Sequence, residues 1–533
     1  MTTLAPNRPT ERWERLRHWG TDRTRRLPGE IGHLLRRHWA LVLLLLAGVV
    51  LRLLVVIAYN PALWYQGDSQ SYLGLAYLKE PGTIRPYGYS FFLSLLLDLH
   101  SVRRIILIQH LMGLAVVIAG YVFLQRRGVS RLVATLAVAP LLLDARTTAL
   151  EHFLLAETLF TSLVVLGMLA LAWRQVPGWL GVLVAAGAFS WAATTRSIGM
   201  VAAVVPLLYL LLRRVDWRKT GAFVAILVIT LGGYVVWYHG HHGQYSFGTY
   251  GSRFLWARTM TFVDCDQLDL TDEERLTCPD QPLGKRLPPD MYLWGPGSKA
   301  EFKTMPDEVF GSFAKKAILG QPLDYLQVVA TETWQTVRPG PYPDDRVACI
   351  ASVWDFPAMN DTGCSPHIAP QNPAKRRFAG LAKDHEHPLM NPLNRYSALA
   401  TVPATLVGLC FLLAVVLACY RPRASSWRDY LNPLAFVTLA FGMIIGSVAT
   451  SMIDPRYTVP SLPLGVIGAA LAWQRFRAAR QAPDPTIPQP SVPSQSPVPP
   501  QSAGAPEAST AAASSDTTVS ATGSEPPTGV PAR

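Results

Sequence analysis

Ten blocks of apolar residues, each about 15 to 25 long, punctuate this chain of 533 residues. A helix needs roughly 20 apolar residues to cross a bilayer, and no other feature constrains the fold as much. In hydrocarbon every backbone N–H and C=O must find its partner within the chain, so such blocks become helices. They lie near 39–59, 105–124, 132–145, 155–173, 179–194, 198–212, 220–238, 396–420, 431–450 and 457–474. Charged residues make up 16% of the chain, against about a quarter in a soluble domain. The expected fold class is an all-α polytopic membrane protein with about 10 transmembrane helices. The first block follows an arginine-rich leader with no small-residue cleavage site behind it, and reads as a retained helix rather than a cleaved signal.

Charge then gives orientation. Residues 1–38 hold nine arginines, and the loops on the same side add Arg126, Arg127, Arg131, Arg174, Arg213, Arg214, Arg218, Lys219, Arg421, Arg423, Arg428, Arg475, Arg477 and Arg480. The positive-inside rule places both termini in the cytoplasm of a multi-pass cell-membrane protein. The net charge of +12 follows from that topology, and no nucleic acid is needed to explain it. The chain divides into a basic cytoplasmic leader (1–38), an N-terminal transmembrane bundle (39–238) with a first outer loop (60–104), an extracytoplasmic loop domain (239–395), C-terminal transmembrane helices (396–474) and a cytoplasmic tail (475–533). From Gln481 onward the chain has twelve prolines and no aromatic residue. Such a stretch cannot bury enough apolar surface to offset its ordering entropy, so disorder is expected.

The loop domain contains "VFGSFAKKAILGQPLDYLQVVATETWQTV", where apolar residues recur at helical spacing until Pro322 interrupts them. A small α-rich lid is the expected result. Cys265, Cys278, Cys349 and Cys364 all fall in this domain. Four cysteines allow three pairings, of which 265–278 and 349–364 join nearest neighbours; disulfides suit an oxidising exterior. Cys410 and Cys419 fall in an apolar block and read as packing residues.

Ionisable residues near membrane depth are costly and tend to mark function. Here they collect at the outer ends of the blocks. The tract "WYQGDSQSYLGLAYLKEPGTIRPYGYSFFLSLLL" holds Asp68, Tyr72, Arg85 and Tyr87. Glu151, His152 and Glu157 surround the start of the fourth span, Arg196 lies in "TTRSIG", and Asp454, Arg456 and Tyr457 lie in "SMIDPRYTVPSLPL". Each has a plainer alternative. Asp68 is placed to cap a helix, Arg85 to meet lipid headgroups, Arg196 to snorkel and Glu151 to be loop surface. Arg52, inside the first span, suits a buried carboxylate partner or snorkelling. "HGHHG" (His239, His241, His242) lacks matching Cys or Glu ligands for a zinc site and reads as an interfacial turn, so no metal ligands are assigned. The chain has no phosphate-binding glycine loop, GxSxG elbow or HExxH, which removes support for ATP-driven transport and the familiar hydrolases. It has no internal repeat of the kind inverted-repeat transporters carry.

"GDSQSY" and "RPYGYSFFLSLL" in the first outer loop, "AETLF" in the fourth span, "TRSIG" after the fifth and "DPRYTVPSLPL" before the last together resemble membrane glycosyltransferases of the GT-C type. In style they are similar to the family 39, aminoarabinose-transferase-like enzymes, over roughly residues 39–474. The resemblance implies a GT-C-like bundle and a polyprenyl-phosphate sugar donor. The acceptor would be a cell-envelope glycan, lipid or protein, met at the extracytoplasmic face of the lipid bilayer. It implies Asp68 as the catalytic base, with Glu157 at the acidic position of the fourth helix. Phosphate ligands would be drawn from Arg85, Arg196 and Arg456, and Tyr72, Tyr87, Glu151 and Tyr457 would complete substrate binding. A divalent cation, magnesium or manganese, stays open: some relatives carry paired acids in the first loop, whereas Ser69 follows Asp68 here. The residues are chemically apt on their own terms. Sugar transfer needs a base for the acceptor hydroxyl and charge stabilisation for the leaving phosphate, and guanidinium groups fit phosphate oxygens. Inversion at the anomeric carbon is the expected course. The reading from another class is a lipid-linked sugar flippase or transporter, which would need a polar path across the bilayer.

Overall fold

The computed structural model describes residues 32–33, 35–65, 67–248, 250–359, 387–422 and 425–481. The expected tail disorder, most of the leader and Cys364 with its expected bond to Cys349 lie outside the described residues. Within them the backbone forms helices and turns, with one isolated bridge between Leu63 and Phe153.

Helix α1 (Trp39–Ala58) shows why the bundle forms. One stripe, Leu41, Gly48, Leu51, Arg52 and Val55, is buried against neighbouring helices, while Leu43, Leu46, Val50, Leu53 and Ile57 on the opposite stripe are exposed. A helix that is apolar on both faces belongs in a lipid environment. The chain continues through α2 (Asp68–Leu78), α3 (Gly88–Ser94), α4 (Val102–Arg126), α5 (Arg131–Leu143), α6 (Ala145–His152), α7 (Glu157–Ala172), α8 (Trp179–Thr195), α9 (Ile198–Ala202), α10 (Val204–Leu212) and α11 (Trp217–His242). All ten expected segments contain helix. Among the described residues, five helices are long and apolar enough to cross a membrane, and the pair α5–α6 makes a sixth if its 51° bend is taken within one span. The bend falls at Asp144, whose extended backbone ends α5 while its carboxylate caps α6, accepting from the Thr147 amide at 2.7 Å. Helices α7, α8 and α9–α10 are apolar but shorter. The sixteen residues of α7 rise about 24 Å, less than the ~30 Å hydrocarbon core. The structure is that of a multi-pass α-helical membrane protein, with a span count below the expected ten by length alone.

The segment after α11 builds its own small core. Trp256, Met260, Tyr292, Phe302, Phe310 and Phe313 pack between α12 (Tyr250–Thr259), α13 (Pro289–Trp294) and α14 (Asp307–Gly320). A Cys265–Cys278 disulfide closes its first loop. Next come α15 (Pro322–Val337), which starts at the proline expected to break the run, and α16 (Asp345–Val353). The chain returns through α17 (Met390–Ala400), α18 (Thr405–Cys419), α19 (Leu431–Thr450) and α20 (Ser461–Gln481). The lid is tied to the bundle: Tyr325 Oη donates to Ala449 O at the end of α19 at 3.0 Å, and Tyr59 Oη at the end of α1 donates to Pro357 O at 2.8 Å.

Inside the lid, Glu274 joins a capping box with Thr271 and accepts from Lys316 Nζ at 2.7 Å. Burial pushes its carboxyl up, but the hydrogen bonds from Lys316, Ser312 and the Thr271 amide outweigh it and bring it down to about 2. A lowered folded-state pKa stabilises fully above the unfolded value and is lost as pH falls through the folded one. Thermal melts followed by tryptophan fluorescence should therefore show a gap between wild type and Glu274→Gln that is constant above pH ~4.5 and closes towards pH ~2. A gap that persists through that range would refute the assignment.

Candidate functional site

Turns from distant parts of the chain bring six charged side chains together at the lid-bearing end of the bundle. Asp68 opens α2, yet its side chain caps nothing. Its Oδ1 accepts from Arg85, with Nε at 3.0 Å and Nη2 at 2.9 Å, and its Oδ2 accepts from Arg456 Nη1 at 3.1 Å. Arg456 sits in a short 3-10 turn, Pro455–Thr458, where its own amide donates to the Asp454 carboxylate at 3.0 Å. The Asp454 carboxylate lies 3.1 Å from Arg456 Nε, close enough for an ion pair but not aimed for a hydrogen bond. Glu157, at the start of α7, lies 3.7 Å from the same Nε and pairs with Arg196 from the turn between α8 and α9. Three carboxylates thus meet three guanidinium groups, and Asp68, Glu157, Asp454 and Arg456 are all buried. Charges held away from water need such compensation, because an unpaired buried ion costs several kcal/mol.

Two backbone features hold these turns in place. The Leu63 amide donates to His152 O at 3.1 Å and Leu63 O accepts from the Leu154 amide at 3.2 Å, fastening the first loop to the α6–α7 junction. Gly88 lets α3 touch the end of α8, where a Cβ would meet the Thr194 backbone at 2.6 Å; Trp191 Nε1 donates to Gly88 O at 2.9 Å across the same contact.

Aromatic rings wall the cluster. The Arg456 guanidinium carbon is 4.5 Å from the Trp354 ring centre, 5.0 Å from Tyr457 and 5.6 Å from Tyr65, and Tyr457 Oη accepts from Arg456 Nη2 at 3.2 Å. Arg196 lies over Tyr457 at 5.0 Å and Arg85 over Phe254 at 5.7 Å. Trp354 and Phe254 come from the lid, so the lid covers the charges. The Trp354 indole N–H is buried without a hydrogen-bond partner among the described residues.

Electrostatics separates the acids. Burial works to raise Asp68, but Arg85 and Arg456 outweigh it and hold its carboxyl below the ordinary value. For Asp454 burial wins over Arg456, and its carboxyl is raised. Among the described residues no group of three or more His, Cys, Asp or Glu side chains is placed to hold a metal ion.

Of the residues expected from the sequence, Asp68, Arg85, Glu157, Arg196, Arg456 and Tyr457 converge here. Tyr72 is buried one turn along α2 from Asp68, edge-on to Tyr89 at 4.9 Å. Tyr87 lies apart, packed on Trp237 at 5.0 Å. Glu151 lies apart too. It pairs with Arg52 through two 2.8 Å contacts and with His110 Nδ1 at 2.9 Å, and His110 Nε2 meets His152 Nδ1 at 3.1 Å. A Cβ at Gly113 would come within 1.9 Å of Glu151 Oε1, so glycine there makes room for this carboxylate. Glu151 and Glu157 both line a cavity of about 40 Å³ walled by Leu141, Leu150 and Val459. Tyr65 belongs to the tyrosine-rich tract around Asp68 that the sequence marks, whereas the lid residues Trp354 and Phe254 carry no local sequence signal. Their role is set by tertiary contact alone.

No protein-family model and no curated protein matches the chain. A search of solved structures finds the crystal structure of ArnT from Cupriavidus metallidurans in the apo state, at 14% identity, covering 82% of this chain and 77% of that chain, with a TM-score of 0.32. A likeness that weak transfers neither fold family nor activity. Fold and site by themselves define a polytopic α-helical membrane protein with a lidded, charge-balanced cluster at one end of its bundle.

Arg456 touches all three carboxylates, so Arg456→Gln should lower stability by about 3–5 kcal/mol. Adding Asp454→Asn should recover part of that loss by removing one stranded charge. Thermal melts of the two variants in detergent decide it; a double variant no more stable than the single one would contradict this account.

Proposed function

We propose that the protein is a membrane glycosyltransferase that moves a sugar from a polyprenyl-phosphate donor to a cell-envelope acceptor hydroxyl at the extracytoplasmic face. The observation that carries the reading is the meeting of Asp68 with Arg85 and Arg456, beside Glu157 and Arg196, under an aromatic wall. A carboxylate that can take a proton and guanidinium groups that can take a phosphate are what the reaction requires.

The ground state holds Asp68 as a weak base, because two arginines stabilise its charge. Donor binding changes this. The phosphate oxygens compete for Arg85, Arg196 and Arg456, and each guanidinium drawn away from Asp68 raises its proton affinity. The acceptor O–H then attacks the anomeric carbon. A new C–O bond forms as the bond to the phosphate oxygen breaks, the proton passes to Asp68, and the polyprenyl phosphate leaves with its charge met by arginine. In-line displacement by a single nucleophile inverts the anomeric centre. The half-buried rings of Tyr65 and Tyr457 offer flat faces to the sugar.

The test uses purified protein in liposomes, labelled polyprenyl-phosphate sugars and a crude envelope acceptor. Wild type should transfer sugar, and Asp68→Asn, nearly isosteric, should lose about 10²–10⁴-fold in rate per folded molecule, a loss beyond the lowered melting temperature that follows from leaving Arg85 without its carboxylate. Unchanged transfer in Asp68→Asn would remove it as the base. Labelled lipid crossing the bilayer with no transfer would favour a flippase.

A further inference from the structure

The lid contains a second crevice, of about 310 Å³, at the lower end of the size range of small-molecule sites. It opens between the Pro288–Pro289 start of α13, the facing sides of α15 and α16, and Met452–Ile453 of the bundle. None of these residues belongs to the charge cluster, but two chain paths lead from crevice to cluster. Ile453 directly precedes Asp454, which pairs with Arg456. Helix α16, which lines the crevice through Val347 and Ile350, runs on to Trp354, whose ring stacks on the same arginine.

The chemistry of the lining says what would fit. Its carboxylates are Asp290, Glu332 and Asp344 and its cations are Arg286 and Arg346. The cations are already engaged. Arg346 is paired with Asp290, and Arg286 donates to the backbone oxygens of Val263 at 2.9 Å and Pro279 at 3.3 Å. Behind Glu332 stands Arg258, fully buried, with Nη1 at 2.8 Å from both carboxylate oxygens. Counting Arg258, three negative and three positive charges cancel. The lining as a whole thus carries no net charge to draw a phosphate or a cation, although Arg286 meets backbone oxygens rather than a carboxylate and its Nε has no hydrogen-bond partner among the described residues. What remains is a set of carboxylate and amide acceptors (Gln335 among them) facing the apolar surfaces of Pro288, Pro289, Ile350 and Met452. Acceptors opposite an apolar wall suit a ring that presents hydroxyl donors at its rim and C–H bonds on its face.

We infer that this crevice receives the acceptor, and that the acceptor end it holds is a neutral, hydroxyl-rich saccharide. The assignment rests on the glycosyltransferase reading; the binding it requires can be measured without any transfer. A ligand here lies against the segment that carries Asp454 and Arg456, so its free hydroxyl is presented toward Asp68 from the lid side while the donor's lipid lies on the bundle side. The two substrates then approach the cluster from different directions.

The test is saturation-transfer NMR on the full chain in nanodiscs, without donor, using maltose, cellobiose, mannobiose and galactobiose as probes and inorganic phosphate as the charged control. At least one disaccharide should bind wild type. Binding should weaken tenfold or more in Ile350→Trp, which fills the crevice, and weaken measurably in Gln335→Ala, which removes a polar group without filling it. No binding by any of the four disaccharides, equal binding in wild type and both crevice variants, or stronger binding of phosphate overturns the inference. Disaccharide binding that depends on the crevice in a protein that transfers no sugar would leave the saccharide site standing and remove the glycosyltransferase reading instead.

Discussion

Arg456 is the contact on which the site depends. It meets Asp68, Asp454 and Glu157 at once and lies between the rings of Trp354, Tyr65 and Tyr457. In a buried setting each of these ions would be intolerable alone, and with Arg85 and Arg196 the set is neutral. Their convergence therefore fixes where the first loop, the start of α7 and the 3-10 turn before α20 sit relative to one another. Packing of the apolar faces builds the bundle, but it does not specify that these three turns share one end; the ion pairs do. Arg85 and Arg196 complete the balance from the periphery, each holding one carboxylate.

The same balance explains how a site can be stable without substrate and reactive with it. A free carboxylate in this position would be a better base and a worse structural element. Asp68 held between two guanidinium groups keeps the site compact, and under the proposed function an incoming phosphate would exchange one set of ion pairs for another. The lid adds the rings that exclude water from this exchange, which strengthens each remaining charge interaction.

Helix positions were legible in the sequence because lipid exposure makes apolar runs long and unbroken; α1, α4 and α19 fall within a few residues of expectation. The break at Asp144 was less legible. It depends on a carboxylate that turns back to cap the following helix, a local choice that hydropathy averages away. Asp68, Glu157, Arg196 and Arg456 stood out as charges beside apolar blocks, and they do meet. Their partners were not legible. That Asp68 meets Arg456, 388 residues away, is a property of the folded bundle. So is the division between the two acids near α6–α7, where Glu151 turns to Arg52 and Glu157 to Arg196. The lid's Trp354 and Phe254 gave no signal, since an aromatic residue in a loop looks the same whether it covers a charge or packs in a local core.

The Glu151 carboxylate occupies the volume that any side chain at position 113 would need. A side chain at position 113 is admitted only if that carboxylate moves, and Arg52 and His110 hold it where it is. A change on α4 at this point is therefore felt in the first helix, through the ion pair that Glu151 makes with Arg52.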